Sequence, residues 1–435
     1  MTGFNVRRFS GLILAGILLL ICPATAACAS YAAIHTVEEN TAKDFLLIAD
    51  INAAYAYSAL KHSDSLSGGM IDALLAATWK LKEDRFIILK YDGGYEKKLD
   101  FYSDDDGLVP RTEFQEHTLT PMLRIGISRA AGISLIPSLF YTATLNKDTQ
   151  STAWDDGLYN YYDVGGGIDC EIRKMDFSGG SGILTFGIQY YKRHYPNFVS
   201  LLDIAVDNQY LGLVSALDTE KDEKDYGGIL ARIEYLWVSP RALSWSTEYS
   251  VLYKHLDDKK VVDMNGSLTD TNQVDYLHTL TGKITYDSAR HAHAGLTLVA
   301  ELNDSNQNFF DGRNNFDYAY HISTRDYYDY YGYGIQPEIT YTLSPIPITL
   351  KANYTFHKTR YFHRKARTAE GDYLSQKQKD TLHSFCIGMG YSLSDQWGIH
   401  ADWTNTRSDS NNADERYYLY HYTLDIFSFG ISFQY

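Results

Sequence analysis

Large apolar residues recur at every second position along most of this chain, with small or polar residues between them. The last nine residues show the pattern at its cleanest: Phe427, Phe429, Ile431, Phe433 and Tyr435 alternate with Ser428, Gly430, Ser432 and Gln434. A period of two marks a β-strand whose two faces meet different surroundings. The same alternation runs through 47–60, where Ala49, Ile51, Ala53, Tyr55 and Tyr57 oppose Asp50, Asn52 and Ser58. In 71–81, Ala73, Leu75, Ala77 and Trp79 oppose Asp72, Thr78 and Lys80, and Glu83-Asp84 turns this strand into 86–95. Pairs follow at 119–127 and 133–141, 161–174 and 183–193, 226–238 and 243–255, 274–286 and 292–303, 329–343 and 347–358, and 382–393 and 397–407. With the first and last strands the total is about 16 (14 to 16), in the range of bacterial membrane barrels.

The connectors alternate as well. Tight turns near 130–132, 239–240, 288–291, 344–345 and 394–396 take turns with long polar segments near 96–114, 148–160, 194–225, 257–273, 304–328, 361–380 and 408–420. One-sided loops, with both chain ends on the tight-turn side, predict an all-β fold: a transmembrane antiparallel up-and-down β-barrel. A soluble sandwich or propeller needs neither the one-sided loops nor an apolar outer face on every strand. Pro121, Pro137 and Pro337 fall on outward positions within regular strands, where each forfeits a ladder hydrogen bond, so bulges are expected there. A chain that ends on an aromatic residue directly after such a strand resembles the C-terminal signature of Gram-negative outer-membrane β-barrel proteins. That resemblance implies an outer-membrane location among outer-membrane lipids. It also implies that Phe433 and Tyr435 belong to a signal read by the barrel-assembly machinery.

Composition adjusts this picture in a few places. A mean hydropathy of -0.30 would ordinarily suit a soluble globule, but a barrel hides its lipid-facing residues at alternate positions. The 37 tyrosines fit a wall that is apolar at one end of each ring and wet at the other. Residues 1–27 read as a Sec-type signal peptide: Arg7 and Arg8, an apolar run at 11–22 too short to span a bilayer, then small residues at 23–27. Residues 28–44 make a short periplasmic segment, and 45–435 the barrel. Thr25-Ala-Ala-Cys28 lacks the aliphatic residue of a lipoprotein cleavage box, so lipidation of Cys28 is not expected. The net charge of -15 argues against nucleic acid as a partner. Parity sends Cys170 outward and Cys386 inward, which argues against a disulfide.

Candidate chemistry concentrates on the inward faces. Parity places Lys80, Lys90, Arg124, Arg173, Arg232, Lys254, Lys283 and Lys351 there, with Asp50, Asp72, Asp169, Glu171, Glu234, Glu248, Glu301, Glu338 and Asp402. An Arg or Lys at mid-membrane facing lipid costs about 2–4 kcal/mol, so these residues are expected to line the pore. Mixed sign has two readings: opposed charge walls that tune ion selectivity, or salt-bridged networks that brace the wall. No Gly-x-Ser-x-Gly or His-Glu-x-x-His motif occurs, and catalysis is not expected. No metal or cofactor is expected either. His291 and His293 alone make an incomplete metal site, and the acidic runs at 104–107, 155–157 and 219–225 lack the ligand spacing of a calcium loop. The tyrosine cluster at 327–333 is read as aromatic girdle.

These features predict a porin-like channel for small polar solutes or ions. The alternative is a secretion barrel for polysaccharide or surface lipoprotein working with a separate periplasmic partner. Such barrels are broadly similar to those of surface-lipoprotein assembly modifiers and polysaccharide exporters, which usually carry a helical-repeat domain that has no room here. A homo-oligomer and an adhesion role for the long loops stay open. In the longest loop Phe198, Leu201, Leu202 and Ala205 share one helical face, with Asp203 and Asp207 away from it. This segment is expected to fold inward as a constriction, the alternative being a lid over the mouth or a contact with a neighbouring barrel.

Overall fold

The computed structural model describes residues 45–60, 66–99, 111–147, 153–157, 159–175, 179–198, 224–240, 242–288, 291–311, 322–414 and 420–435. The signal peptide, the segment before residue 45, and Leu201, Leu202, Asp203, Ala205 and Asp207 lie outside them.

Eighteen strands are described: β1 (Phe45–Leu60), β2 (Leu66–Lys82), β3 (Arg85–Leu99), β4 (Arg111–Ser128), β5 (Ile133–Lys147), β6 (Tyr161–Arg173), β7 (Ser181–His194), β8 (Tyr226–Val238) and β9 (Leu243–Val262). There follow β10 (Leu268–Ser288), β11 (Ala292–Ser305), β12 (Phe309–Asp311), β13 (Ile322–Thr324), β14 (Tyr330–Leu343), β15 (Ile348–Arg367), β16 (Tyr373–Ser392), β17 (Trp397–Ser410) and β18 (Tyr422–Gln434). All but β12 and β13 pair antiparallel in one closed barrel, β18 beside β1. Closure runs from Asp50 opposite Gln434 to Leu60 opposite Leu424, and Ala49 and Tyr435 exchange both backbone hydrogen bonds at 2.9 and 2.8 Å. The expected up-and-down barrel of about sixteen strands is the observed fold.

Each of the sixteen wall strands exposes at least one large apolar side chain on its outer face, from Ile51, Ile71 and Ile87 round to Ile387, Trp397 and Phe429. Water would not support a continuous apolar belt of this extent. A closed ladder with no free edge and an apolar outside is one of the two structures a bilayer accepts. At one border three hairpins repeat a device: a tyrosine shares a hydrogen bond with a histidine on the next strand. The pairs are Tyr91–His117 (2.9 Å), Tyr249–His278 (2.8 Å) and Tyr354–His383 (2.7 Å). Tyr91, Tyr249 and Tyr354 are each the seventh residue of a strand leaving a tight turn, so the pairs lie at one height.

Two expectations need correction. The segments 257–273 and 361–380 are not loops: β9 and β10 span 20 and 21 residues, β15 and β16 span 20 each, and their hairpins stand well above the 13-residue β6 and β8. Above the lipid no strand face has to meet an apolar solvent, so alternation disappears while the strands continue. Nor do the prolines sit in bulges. Pairing lapses beside Pro121 and Pro137 between β4 and β5, and beside Pro337 between β14 and β15, yet resumes in the same register. A missing N–H costs a local bond without forcing an extra residue.

The described residues between β11 and β14, 306–311 and 322–329, are held between the two tall hairpins. Gln307 accepts the Val262 N–H (2.9 Å) and donates to Lys260 O (3.0 Å), and Asn308 donates to Val262 O (2.6 Å). On the other side the Arg364 and Arg367 guanidinium groups lie over Tyr327 (4.9 Å) and Phe309 (5.6 Å). Tyr327 is thus buried against Phe309 (rings 4.6 Å apart), and Tyr330 turns inward to Tyr361 (5.8 Å). Only part of the 327–333 cluster is girdle, since Tyr331 and Tyr333 alone pair on the outer face with Phe362 and Phe356.

Candidate functional site

The inner wall repeats one piece of construction. A cation and a carboxylate two strands apart meet across the strand between them, over a residue too small to obstruct. Asp169 on β6 and Arg232 on β8 meet at 3.0 Å over Gly187 on β7, and a Cβ on Gly187 would run into the Asp169 carboxylate and lie 2.9 Å from Arg232 Nε. Lys351 on β15 and Asp402 on β17 meet at 2.7 Å over Gly388 on β16, where a Cβ would collide with both side chains. Lys283 on β10 and Glu338 on β14 meet at 3.2 Å across β11, where Glu338 passes over Gly295, and a related contact sets the His357 imidazole 3.6 Å from Glu301 across Gly332 on β14. The fifth case uses serine: Arg124 on β4 donates to Ser134 on β5 (3.3 Å) and to Glu171 on β6 (2.7 Å), and Arg173 also bonds Glu171.

Most of the residues expected on the inner face therefore occur in bridges, and Lys90 pairs with Asp92 on its own strand at 3.4 Å. Glu234 and Glu248 stand opposite each other in register between β8 and β9. Lys254 lies opposite Asp275 and 5.4 Å from the Tyr226 ring. Lys80 stands opposite Phe86.

Water reaches the bridges unequally. The side chains of Arg124 and Glu171 are 4% and 3% exposed, while Lys351 is 45% exposed and Asp92 43%. Beside the dry bridge, Phe86, Ile88, Ile136 and Ile183 are buried. They occupy the inward parity, since Ile87, Leu89, Leu139 and Phe186 face out. Alternation could not reveal them, because 86–89 is apolar at both parities.

Towards the tall side, the inner wall carries an arginine-centred cluster absent from the residues singled out by sequence. Arg193 binds Asp163 with two hydrogen bonds (2.7 and 2.6 Å) and lies over the rings of Tyr161 (3.7 Å) and Tyr226 (5.4 Å). Glu116 accepts from Thr144 (3.4 Å) and Tyr161 (3.5 Å). Its only sequence signal is a charge at inward parity, Arg193 being the last position of the expected strand. Phe198 is buried against Tyr159 of the connector before β6 (6.0 Å), with Lys224 Nζ 4.4 Å from its ring. The other residues of the expected constriction are outside the described residues.

Asp326, Asp329 and His363 come together at the tall side, with donor atoms within 4.8 Å of one another. Their carboxylates already have partners: Asp326 pairs with Arg325 (3.3 Å) and Asp329 accepts the Ser305 N–H (2.7 Å). Burial, with Asp304 and Asp326 nearby, raises the Asp329 pKa above the ordinary carboxylate value. At the other end His293 reaches Asp287 (2.6 Å) and Glu338 (3.5 Å), while the His291 ring packs against Tyr341 (6.4 Å). Cys170 and Cys386 are both free.

No protein-family model matches the chain, and no curated protein does. Among solved structures it is similar to outer-membrane OmpT of Vibrio cholerae (10% identity, TM-score 0.44, covering 91% of this chain and 99% of that one). It is also similar to Salmonella typhi OmpF in complex with daunomycin (13%, TM-score 0.42, 90% and 97%). A third is a bacterial polysaccharide outer membrane secretin (10%, TM-score 0.41, 89% and 98%). The closed sixteen-strand wall and its apolar outside make the chain a transmembrane β-barrel of the outer-membrane type.

Proposed function

We propose that the barrel is a channel passing small polar solutes or ions across the outer membrane. The observation that carries this reading is the water access of inward charges such as Lys351, across the barrel from the packed side near Glu171, and Asp92, higher on β3 itself. A filled barrel would bury such groups, whereas a lumen holding water lets them stay solvated, and a sixteen-strand barrel is wide enough for an aqueous path. The bridges place fixed charges of both signs along that path, which suits selection by charge and size more than capture of one ligand.

The test is reconstitution of the folded, signal-free protein into planar bilayers, with liposome swelling for sugars and amino acids. Stable conductance steps together with swelling are expected. A folded barrel that inserts yet conducts no ions and admits no solute would end the channel reading.

A further inference from the structure

The outer face of the β15–β16 hairpin, just above the lipid belt, gathers cations in adjacent rows. Outward parity there continues upward from Phe385 and His383 on β16 and from Phe356 on β15. The next rows hold Lys358, then Arg360 directly opposite Lys379 and, beyond a shift of register in β15, Lys365 opposite Lys377; Arg407 of β17 lies beside His383. Like charges facing each other across a ladder are destabilising, and here two such pairs occur in succession in a chain of net charge -15. Among the described residues only Arg407 of these six has a carboxylate partner, Asp409 at 2.8 Å. Arg360 donates to the Tyr331 hydroxyl (3.1 Å) and Lys377 to the His363 carbonyl (3.1 Å). The other acids beside this face have partners of their own: Asp425 is held by Trp403 (3.0 Å) and Asn405 (2.9 Å), and Asp329 and Asp326, next to His363, by the Ser305 N–H (2.7 Å) and Arg325 (3.3 Å). The other tall hairpin does not share the feature, since Asp257, Asp258, Asp263 and Asp270 accompany its lysines.

Height identifies the counter-charge. The Tyr354–His383 pair belongs to the row of three that borders the apolar belt, and two residues along a strand advance it by about 7 Å, less when tilted. The first two cationic rows therefore lie roughly 5–12 Å above that border, the depth of lipid headgroups rather than of acyl chains or bulk water. Phe362, exposed beside Tyr331, adds a ring at the same level.

We propose that this face binds the phosphorylated headgroup of an outer-leaflet glycolipid, with Lys358, Arg360 and Lys379 as its principal phosphate ligands. The bound phosphates screen the opposed cations, and the lipid's acyl chains continue down the apolar wall below. The site is separate from the lumen and independent of whether the barrel conducts.

The test uses the full-length folded barrel in neutral detergent, with a fluorescent bisphosphorylated lipid-A-type glycolipid and its phosphate-free form as probes. The triple variant Lys358→Gln/Arg360→Gln/Lys379→Gln is compared with Lys97→Gln/Lys192→Gln/Lys259→Gln, which removes equal charge elsewhere on the tall side. Near a membrane surface each cation contributes about fivefold in affinity, so the first triple is expected to bind the phosphorylated probe on the order of 100-fold more weakly. The second should stay within about threefold of wild type, and the thermal unfolding of all three should coincide. Equal binding of the phosphate-free form, or a first triple within about threefold of wild type, overturns the proposal. So does displacement of the probe by inorganic phosphate at matched phosphate concentration, or by an acidic peptide, either of which would assign the face to another anion.

Discussion

Two bridges on the inner wall have the same plan and opposite surroundings. Glu171 takes cations from Arg124 and Arg173 over Ser134, in a region packed by Phe86, Ile88 and Ile136. Asp402 takes Lys351 over Gly388 where the lysine remains largely in water. Attraction between unit charges grows as the local dielectric falls, but so does the cost of stripping water from each. A dry bridge is therefore one in which every member depends on the others, and a wet one is nearly indifferent to its partner. The middle residue follows the same division: serine supplies a hydroxyl to a guanidinium that water cannot reach, and glycine only clears the way.

The largest effect expected from this difference is at Glu171. Glu171→Gln leaves two cations facing a neutral amide in a packed site. Breaking a buried pair in this way costs about 3–5 kcal/mol. Denaturant unfolding of the refolded barrel should show a loss in that range, and a loss below about 1 kcal/mol would mean that water enters this half of the lumen as freely as the other.

The lipid outside is a third environment, and it tests the parity on which both bridges rest. Phe429 faces outward beside Tyr55, and Ser428 inward beside Asp402. Phe429→Asp should cost about 2 kcal/mol or more and reduce the folded, membrane-inserted fraction, whereas Ser428→Asp should cost no more than about 1 kcal/mol, from the like charge opposite Asp402. The measurement is the heat-modifiable folded fraction in outer-membrane preparations. Equal levels of the two variants would mean the strand sits one residue out of register.

Much of the wall was legible from sequence because lipid enforces alternation at every turn of the barrel. Tyr55, Leu75, Ile387 and Phe429 could be placed on the outside with no knowledge of their neighbours. The bridges were not legible, although nearly all their members were singled out. Arg124 and Glu171 are 47 positions apart and lie on strands that do not touch, so their meeting depends on two registers at once. The glycines between bridge partners carry no signal in a sequence that contains 32 of them. Above the membrane the failure has a different cause. Residues 257–262 and 361–367 look like loop because their apolar residues do not alternate with polar ones, yet the strands persist there, with the Lys260 side chain donating to the Asn272 side chain across β9 and β10 at 2.7 Å. Tyr327 misled in the reverse sense, its burial depending on Phe309 and Arg364 from segments distant in the chain.

The smallest stability effect, and the most informative about function, is expected at the wet bridge. Lys351 and Asp402 lie at 2.7 Å, but the lysine is too well solvated for the pair to add much, and exposed pairs contribute about 0–1 kcal/mol. Asp402→Asn should leave the unfolding midpoint nearly unchanged, and Lys351→Gln, which strands a carboxylate only 14% exposed, should lower it slightly. Their electrical consequences should be opposite. Removing the lysine exposes an uncompensated carboxylate to permeating ions and shifts preference towards cations, while removing the carboxylate frees the lysine and shifts it towards anions. Reversal potentials in a salt gradient across a planar bilayer read the two shifts directly, and both should shrink as salt rises because the lumen charges are screened. Glu171→Gln, on the packed side, should alter stability and leave selectivity where it was. Shifts of the same sign at Lys351 and Asp402, or none at all, would place the ion path away from β15 to β17 and remove the distinction between the two bridges that water access implies.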